Sequence, residues 1–351
     1  MKLKIAIMNG DDIGIEIVPM AKLVLTEALK TLGYDIELID LPIGNLAHSK
    51  YGDTFPEYTV SQLNEVHGII CGPIGHNNYP RNDSTWKMPP IRKKFELYAA
   101  VRPAKSYDNS KNIDIIFVRE LTEGLQSSDT IVGGYPEFRP NDDITIASRV
   151  ITRKGSNRVA KAAFDLAISK NRSKVTAAHK EPLFRLSCGM FLEECAKVSK
   201  EYPSISYEDT LIDTTAMHLV SNPESFDVVV TTNQFGDILS DIGAGLIGSI
   251  GMAPGLCLGD NIAMAQATHG SAPDIAGKNV ANPYAMIMST SMLLSWMGSK
   301  YNEEKLIMAS NIIEESTSEV IKERKYLTAD IGGKSSTIDM TNAIIEKVKT
   351  R

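Results

Sequence analysis

Two spacings of hydrophobic residues recur along the chain and predict its elements. Short apolar runs at 4–8, 35–41 and 67–71 are typical of strands. Between the first two lies a stripe at helical spacing that ends near Gly33 and consists of Ile13, Ile17, Met20, Val24 and Ala28. This strand–helix–strand order predicts an α/β fold with a parallel sheet.

The same spacings continue through the rest of the chain. Further strands are predicted at 113–118, 144–152, 175–178 and 228–232. Further helices are predicted at 157–170, 187–200, 207–221, 284–298, 303–324 and 338–349. A helical segment beginning at Ile91 is predicted to close at Arg102-Pro103, and turn residues dominate 133–136 and 139–142.

Two aspartates after the 228–232 strand form the first candidate site. Asp237 and Asp241 stand four residues apart, so on a helix both carboxylates project from one face. Like charges at this spacing repel each other, and a divalent cation such as Mg²⁺ or Mn²⁺ removes the repulsion. The alternative is a pair of acids favoured only by the dipole at a helix N-terminus.

A G-x-G-x-x-G sequence follows at Gly243, Gly245 and Gly248. It lies inside a helix predicted to begin at Phe235, not at a strand-to-helix turn where backbone N–H groups meet a pyrophosphate. The turn between Gly10 and Gly14 has the better position but the wrong spacing. We therefore predict that the three glycines allow close helix packing, and that the fold is not an ordinary Rossmann fold.

Cationic residues and a bent loop supply two further candidates. Arg92, Arg102 and Arg119 can bind a dicarboxylate through their guanidinium forks, and Lys180, directly after a strand, is a candidate base. Asp274 lies in a glycine- and proline-bent loop, where its carboxylate can accept both ribose hydroxyls of NAD and repel the 2′-phosphate of NADP. For each residue, ordinary solvent exposure is the alternative.

Composition narrows the class of protein. Of 351 residues, 43% are hydrophobic and 23% are charged, and the formal net charge of −6 disfavours nucleic-acid binding. The cysteines lack metal-site spacing, so we expect Cys71, Cys188, Cys195 and Cys257 to pack as small hydrophobic side chains. We see no signal-peptide pattern and no membrane-spanning run, so we expect a cytoplasmic protein without membrane association.

Together these stretches resemble the β-decarboxylating dehydrogenases: isopropylmalate, isocitrate, homoisocitrate and tartrate/D-malate dehydrogenases. The matching sequences span nearly the whole chain: Gly10-Asp11-Asp12-Ile13-Gly14, Val101-Arg102-Pro103, Val118-Arg119-Glu120, His179-Lys180, Tyr207-Glu208-Asp209 with Asp213, 233–241 and 269–283. The resemblance implies a three-layer α/β/α fold with a mixed, largely parallel sheet. It also implies two domains: 1–100 with 252–351 for the cofactor, and 101–251 for substrate, metal and dimerisation.

The resemblance implies a metal site and a pair of catalytic residues. Asp213, Asp237 and Asp241 would hold Mg²⁺ or Mn²⁺, with Asp213 supplied by the other subunit of a homodimer or higher oligomer. Lys180, also from the partner, would assist deprotonation of the C2 hydroxyl, so Lys180 and Asp213 are the implied catalytic residues. The three arginines would bind the carboxylates of a malate.

NAD is the implied cofactor, because Asp274 and Ile275 stand where NADP-dependent members of the family carry Lys and Tyr. The residues implied to line its site are Ile13, His269, Gly270, Ser271, Ala272, Pro273, Asp274, Ile275 and Asn282. In the implied reaction the metal-activated hydroxyl loses its proton as hydride passes to nicotinamide. CO₂ then leaves, and an acid protonates the resulting enolate.

Two positions depart from the family pattern. Gln126, an implied substrate-binding residue, stands where members usually have tyrosine, so the final protonation needs another donor such as Tyr135 or water. Pro182 stands where an asparagine near the nicotinamide is usual. These departures leave a non-catalytic regulatory homologue open as an alternative from another functional class.

The substituent of the malate is predicted from the turn around Met88. Met88 stands four residues before Arg92. Isopropylmalate enzymes of the family have an apolar residue at this position, whereas isocitrate enzymes have Ser and Asn on the same turn. An unpaired third carboxylate beside Met88 would be costly. The sequence therefore favours 3-isopropylmalate, converted to 2-oxo-4-methylpentanoate and CO₂ in leucine biosynthesis. D-malate or tartrate, and homoisocitrate or isocitrate, stay open as alternatives.

Overall fold

The computed structural model describes residues 2–75, 89–107, 112–125 and 137–351. The chain folds into two compact units, Met1–Ile91 with Gly248–Arg351, and Arg92–Ile247. Both ends of the chain thus form the first unit, and its middle forms the second. The roles assigned above to the domains 1–100 with 252–351 and 101–251 stay predictions.

Strands and helices alternate along most of the described chain. The strands are β1 (Lys4–Met8), β2 (Glu37–Asp40), β3 (Gly68–Cys71), β4 (Ala99–Lys105), β5 (Asp114–Glu120), β6 (Glu137–Asn141), β7 (Ile144–Ala147), β8 (Lys174–His179), β9 (Ser206–Leu211), β10 (Val228–Thr231), β11 (Leu256–Leu258) and β12 (Ala263–Ala265). The helices are α1 (Gly14–Thr31), α2 (Gly44–Tyr51), α3 (Glu57–Leu63), α4 (Ile91–Lys94), α5 (Arg153–Ser169), α6 (Ser187–Ser199), α7 (Ile212–Ser221), α8 (Asn233–Leu246), α9 (Tyr284–Tyr301), α10 (Glu304–Glu323) and α11 (Thr337–Lys349).

In the first unit the strand order is β2-β1-β3-β12-β11. Strands β2, β1, β3 and β12 pair in parallel, whereas β11 and β12 are antiparallel. Four of the five residues of β1 are buried, as expected of a parallel strand covered on both faces. Helix α1 turns Ile17, Val24 and Ala28 inward and packs against α9, α10 and α11, whereas Met20 is only half-buried.

In the second unit the strand order is β4-β5-β10-β8-β9. All of these pairings are parallel except that of β4 with β5, so the sheet is mixed and mostly parallel. Phe117 of β5 belongs to a buried cluster with Ala104 of β4, Val229 of β10 and Leu239 of α8. This cluster seats α8 on the face of the sheet that carries Phe117.

The predicted helical segment closing at Arg102-Pro103 is wrong. Helix α4 ends at Lys94, Glu96 follows with φ of 46°, and both Arg102 and Pro103 lie within β4. Each residue of β4 has an antiparallel partner in β5. Pairing with β5, the next strand along the chain, outweighs the local helical pattern.

The predicted helix at 207–221 is wrong in its first five residues. Tyr207 to Leu211 lie in β9, which pairs in parallel with β8, and the helix begins at Ile212. Glu208 is held in this strand by Thr176 Oγ1 at 2.8 Å and by Lys174 Nζ at 2.9 Å, both from β8. These contacts come from a strand remote in sequence.

Further corrections concern short strands. The predicted turn at 139–142 lies largely in β6, which forms a fully exposed two-stranded ribbon with β7, and the predicted strand at 144–152 ends at Ala147. Pro140 is tolerated because a two-stranded ribbon leaves backbone N–H groups without a ladder partner. Strands β11 and β12 were not predicted, since each has only three residues.

The glycines of the G-x-G-x-x-G sequence differ in what they do. Gly243 lies within α8, where a Cβ would approach Phe117 to 2.6 Å, so its predicted packing role is confirmed. Within one chain the same prediction is wrong for Gly245, because, apart from its chain neighbours and the backbone of α8, no atom of the described residues lies within 4 Å of the place that a Cβ would occupy there. Gly248 follows the helix with φ of +103°, a conformation that favours glycine.

The architecture agrees with the mixed, largely parallel α/β fold that the resemblance implied. All four cysteines are buried and free, as predicted. Among the described residues, no helix is both long enough and apolar enough to cross a membrane.

Candidate active site

Strands β4 and β5 and helix α8 bring charged side chains together in the second unit. Arg102 pairs with Phe117, so Arg102 and Arg119 project from the same face of the sheet. Helix α8 covers that face and begins at Asn233. Gly236 permits its close approach, since a Cβ at this position would lie 2.6 Å from the Cβ of Arg119.

Asp237 is the shared acceptor of both arginines. Its Oδ1 accepts a hydrogen bond from Nη1 of Arg119 and lies 3.0 Å from Nη1 of Arg102. Nη1 of Arg102 also donates to Ser240 Oγ at 2.8 Å. Arg102 and Arg119 are 8% and 5% exposed, whereas the Asp237 side chain is 38% exposed. The cations are fixed by burial, and the carboxylate is the side of the cluster open to a ligand.

Asn233 orients Arg119, and the sequence reasoning missed it. Its Oδ1 accepts from Nε of Arg119 at 3.2 Å and from Nη2 at 2.7 Å, while its Nδ2 donates to the carbonyl of Glu123 at 2.9 Å. The side chain is 2% exposed, so each polar atom needs such a partner. The available signal was spacing, because Asn233 stands one helical turn before Asp237.

Asp241 completes the acidic pair on α8. Burial raises the pKa of its carboxyl group, and nearby Asp237 raises this pKa further, against the opposite effects of Arg102 and Arg119. The raised pKa means that burial outweighs the attraction of the two arginines for the Asp241 carboxylate. Oxygen donors one turn apart fit a hard divalent cation such as Mg²⁺ or Mn²⁺. The described part of one chain contains no group of three acidic, histidine or cysteine side chains arranged for a metal.

Lys180 and Asp213 form a separate pair. Lys180 follows β8, Asp213 lies in the first turn of α7, and Lys180 Nζ donates to Asp213 Oδ1 at 2.6 Å. This hydrogen bond lowers the pKa of the Asp213 carboxyl group. Within one chain, therefore, Asp213 is paired with Lys180 and does not join Asp237 and Asp241. The prediction that a partner subunit supplies Asp213 stays a prediction.

In the first unit, the predicted cofactor loop is joined to the start of α1. The backbone N–H of Ile13 donates to the carbonyl of Ser271 at 3.1 Å. Ala272 has φ of 43°, and the following residues Pro273 and Asp274 are exposed. The Asp274 carboxylate is thus available to a ligand, as recognition of ribose hydroxyls would require.

His269 offers a buried acceptor at the same segment. It is 8% exposed, its Nδ1 lies 2.9 Å from the carbonyl of Gly270, and its Nε2 has no hydrogen-bond partner among the described residues. Burial lowers the pKa of His269, so the ring is neutral at pH 7. With Nδ1 donating, Nε2 is an acceptor, and an unpaired buried acceptor fits a ligand with an N–H group, such as adenine.

Asn282 is engaged within the protein. Its Nδ2 donates to Asp330 at 3.0 Å, and its Oδ1 accepts from the N–H of Tyr284 at 3.0 Å. Asp330 also accepts from Ser249 Oγ at 2.6 Å. A contact of Asn282 with the cofactor therefore stays a prediction, and Asp330 is the polar partner that sequence reasoning missed.

Some of the remaining predicted site residues lie in the described part of the chain and others lie outside it. Arg92 is half-buried in the short helix α4. Gly270 and Ile275 lie in the cofactor loop, and both are at least partly exposed. Met88 and Gln126 lie outside the described residues, so their substrate-binding roles stay predictions.

Comparison with known proteins matches almost the whole chain to one family model. The model, described as isocitrate/isopropylmalate dehydrogenase, covers residues 4–348. Homoisocitrate dehydrogenase of Methanocaldococcus jannaschii is 40% identical, over 99% of this chain and 99% of its own. The 3-isopropylmalate dehydrogenase of Sulfurisphaera tokodaii is 37% identical, over 99% of this chain and 100% of its own.

A solved structure agrees with these sequence matches. The crystal structure of isocitrate dehydrogenase from Methylococcus capsulatus gives a TM-score of 0.85 at 35% identity, covering 99% of both chains. The agreement extends over both units of the chain. It confirms the three-layer α/β/α fold class that the resemblance implied.

Proposed function

This chain belongs to the isocitrate/isopropylmalate dehydrogenase family, and we propose that it catalyses NAD-dependent, metal-requiring oxidative decarboxylation of a 3-substituted (2R)-malate. Membership of this family supports a decarboxylating dehydrogenase with a small-molecule substrate. One observation carries the proposed binding of a metal and a malate: the buried Arg102 and Arg119 converge on Asp237, one helical turn from Asp241.

The two arginines are suited to a dicarboxylate. If Asp237 held a cation, the Nη1 donors of both guanidinium groups would be available to substrate carboxylates, which match their fork geometry. Ser240 and Asn233 hold the guanidinium groups while that exchange takes place. Arg102 and Arg119 therefore form a preorganised clamp for the substrate carboxylates, and Arg92 is its proposed third member.

Asp237 and Asp241, with the partner subunit's Asp213, are the proposed ligands of Mg²⁺ or Mn²⁺. When bound, the cation lowers the pKa of the C2 hydroxyl and stabilises negative charge on its oxygen. The partner subunit's Lys180 would assist deprotonation of that hydroxyl. Lys180 and Asp213 of one chain are joined by a hydrogen bond of 2.6 Å, which supports the proposal that both residues contribute to the same site of the partner subunit.

The 269–275 segment is the proposed NAD site. NAD supplies the hydride acceptor. The exposed carboxylate of Asp274 accepts the ribose hydroxyls and disfavours the 2′-phosphate of NADP, and His269 Nε2 accepts from the adenine. Ile13 holds the start of the segment through its hydrogen bond to Ser271.

Exposed apolar side chains support the proposed homodimer. Met217 and Val220 of α7 are 56% and 68% exposed, and Ile238 of α8 is 52% exposed. Helix α7 also carries Asp213. A second copy of the chain that covers this surface buries apolar area and brings Asp213 and Lys180 toward the neighbouring site.

The first candidate substrate is 3-isopropylmalate, in leucine biosynthesis, because Met88 stands in the sequence where isopropylmalate enzymes have an apolar residue. Homoisocitrate is the second candidate, favoured by the 40% identity to homoisocitrate dehydrogenase of M. jannaschii. The two substrates differ in whether the substituent ends in methyl groups or in a carboxylate. They can therefore be separated by direct assay.

A substrate panel tests the proposal. Purified full-length chain with Mn²⁺ and NAD is given 3-isopropylmalate, homoisocitrate, isocitrate, D-malate and tartrate, and NADH formation is followed by absorbance. We expect the highest kcat/KM with 3-isopropylmalate, loss of activity with EDTA and recovery with excess Mn²⁺. Asp241→Asn is expected to raise the Mn²⁺ concentration needed for half-maximal rate about tenfold or more, whereas the exposed control Asp260→Asn leaves it unchanged.

The outcomes separate the candidates. A higher kcat/KM with homoisocitrate than with 3-isopropylmalate would replace the first substrate with the second. NADH formation from none of the five compounds would reject the catalytic proposal and favour the regulatory homologue. Activity that persists unchanged in EDTA would reject the metal requirement.

A further inference from the structure

The loop that carries Asp274 is tied to helix α1 by a carboxylate to which the proposed function gives no role. Glu16 lies in the first turn of α1. We propose that Glu16 is a positioning residue for cofactor binding, which sets the affinity for NAD by holding the 271–279 loop in its binding conformation. This inference rests on the proposed function, since it takes that loop as the NAD site.

Glu16 accepts two backbone hydrogen bonds from the end of the loop. Its Oε1 accepts from the N–H of Gly277, and its Oε2 lies 3.1 Å from the N of Asn279. Gly277 and Asn279 have φ of +77° and +56°, left-handed conformations. For asparagine this conformation is less stable than the ordinary helical one, so it needs support from its surroundings. A carboxylate bonded to both N–H groups supplies that support.

The other fixed points of the loop show what Glu16 adds. The Ile13 N–H fixes the loop at Ser271, and Asn279 is fixed a second time because its carbonyl and its Oδ1 accept from the N–H groups of Thr337 and Ile338, at 3.0 and 3.2 Å. Pro273 and Asp274 lie between these points and are exposed. Inside the loop, the N–H of Ile275 donates to the carbonyl of Ala272 and the N–H of Lys278 to that of Ile275. These turns and the two ends together set the loop's conformation, and Glu16 joins the second end to the helix holding the first.

Loss of Glu16 leaves two N–H groups without their acceptor and releases the left-handed turn. The loop then occupies its binding conformation for a smaller fraction of the time, and the apparent affinity for NAD falls by that fraction. The arginines proposed to bind the carboxylates of the substrate belong to the other unit, whereas both hydrogen bonds to Glu16 come from the loop. The expected effect is thus confined to the cofactor.

The test compares Glu16→Ala and Glu16→Gln with the matched control Glu27→Ala. Glu27 lies on the same helix, where its side chain forms an ion pair of 3.7 Å with Lys30 and interacts with Lys349, and it takes part in none of the hydrogen bonds described for the loop. The dissociation constant of NADH is measured by fluorescence titration of the full chain, together with kcat and the KM values for NAD and the dicarboxylate. Thermal melting of each variant is recorded in parallel.

Glu16→Ala is expected to raise the NADH dissociation constant and the KM for NAD by roughly five- to fiftyfold. The kcat at saturating NAD and the KM for the dicarboxylate should stay within about twofold of the wild type. Glu16→Gln keeps one carbonyl acceptor, so its NADH affinity should lie between those of the wild type and Glu16→Ala. The Glu27→Ala control should match the wild type.

An unchanged NADH dissociation constant in Glu16→Ala would overturn the inference. The inference would also be overturned if both Glu16 variants showed a lower kcat, a higher KM for the dicarboxylate and a lower melting temperature together. That pattern indicates general destabilisation of the fold. If the wild-type chain itself does not bind NADH, the proposed function fails together with this inference. If the wild type binds and Glu16→Ala binds equally well, only the inference fails.

Discussion

Asp237 accepts hydrogen bonds from two arginines that are almost fully buried. A buried guanidinium group without an anion costs several kcal/mol, about 3–5 when one partner of a buried pair is removed. The arginines therefore need a carboxylate at all times, either that of Asp237 or that of a substrate. This requirement makes the cluster a site where a dicarboxylate and a cation are expected to bind together.

The geometry of that exchange depends on Asn233. We expect Asn233→Ala to free the Arg119 guanidinium group and to raise the KM for the dicarboxylate roughly five- to a hundredfold, the effect of losing one to two buried hydrogen bonds to a charged group. Steady-state kinetics with saturating NAD measures this change. The KM for NAD should not change, because Asn233 lies in the other unit from the NAD loop.

Asn157→Ala is the matched control for that variant. Asn157 donates its Nδ2 to Glu194 at 2.9 Å, in the same unit but without contact to an arginine of the clamp. If both variants raise the KM for the dicarboxylate equally, Asn233 has no special role in orienting Arg119. A large fall in kcat with unchanged KM would also contradict the positioning role.

At the scale of elements, the start of α5 depends on a second buried acid. Thr152 caps α5 by accepting from the N–H of Gly155 at 3.0 Å, and Thr152 in turn donates its hydroxyl to Glu123 at 2.7 Å. Glu123 is 2% exposed. Burial, together with the charge of Glu120, raises the pKa of Glu123 to about 7, although hydrogen bonds from Thr152 oppose the shift.

This raised pKa predicts how stability depends on pH. Between the ordinary pKa of 4.5 and the folded value of about 7, the folded chain binds more protons than the unfolded chain, so stability falls as pH rises. We expect Glu123→Gln to remove a fall of up to about 3 kcal/mol between pH 5 and 8. Urea unfolding at several pH values, followed by circular dichroism, measures it.

The control for this experiment is Glu193→Gln, a change at a side chain that is 62% exposed. Its stability should follow the wild-type pH profile. Parallel profiles for the wild type and Glu123→Gln would show that Glu123 is not the group responsible. A steeper fall in the variant would contradict the sign of the argument.

Local patterns predicted the elements whose periodicity extends over many residues. Helices α1, α8, α10 and α11 and strands β1 and β10 lie close to their predicted positions, because each carries its own apolar stripe or run. Strands β4 and β9 were missed because each is ordered by pairing with another strand, β4 with β5 and β9 with β8, and not by a pattern of its own. Sequence periodicity carries no record of such partners.

The same distinction explains what could be predicted of the site. Asp237 and Asp241 are neighbours on one helix, so their spacing was sufficient to pair them. Arg102 and Arg119 share Asp237 as a partner only because the register of β4 against β5 places them on the same face of the sheet. No local sequence pattern contains that register. Glu16 and Gly277 are likewise brought together only by tertiary structure.

At the scale of the whole molecule, the predicted metal ligands are divided within one chain. Asp237 and Asp241 lie on α8 beside the arginines, while Asp213 is bound to Lys180. The apolar residues Met217 and Val220, on the helix of Asp213, are exposed. If dimerisation completes the site, then each site takes Asp237 from one subunit and Asp213 from the other.

Mixed dimers test this division. Asp213→Asn and Asp237→Asn chains are each expected to lose nearly all activity, since each change removes a metal ligand from every site. After subunit exchange in an equal mixture, half of the dimers are mixed, and each mixed dimer regains one unaltered site. We therefore expect roughly a quarter of the wild-type activity, measured as NADH formation after exchange is verified by native mass spectrometry.

The pair Asp237→Asn and Asp241→Asn is the control, because both changes affect ligands that come from the same subunit. Every site in that mixture lacks a ligand, so exchange should recover no activity. Recovery in the first mixture and not in the second requires that Asp213 act across the subunit boundary. Equal recovery in both, or none in either when mixed dimers are present, would remove Asp213 from the shared site and with it the proposed role of the Lys180–Asp213 pair.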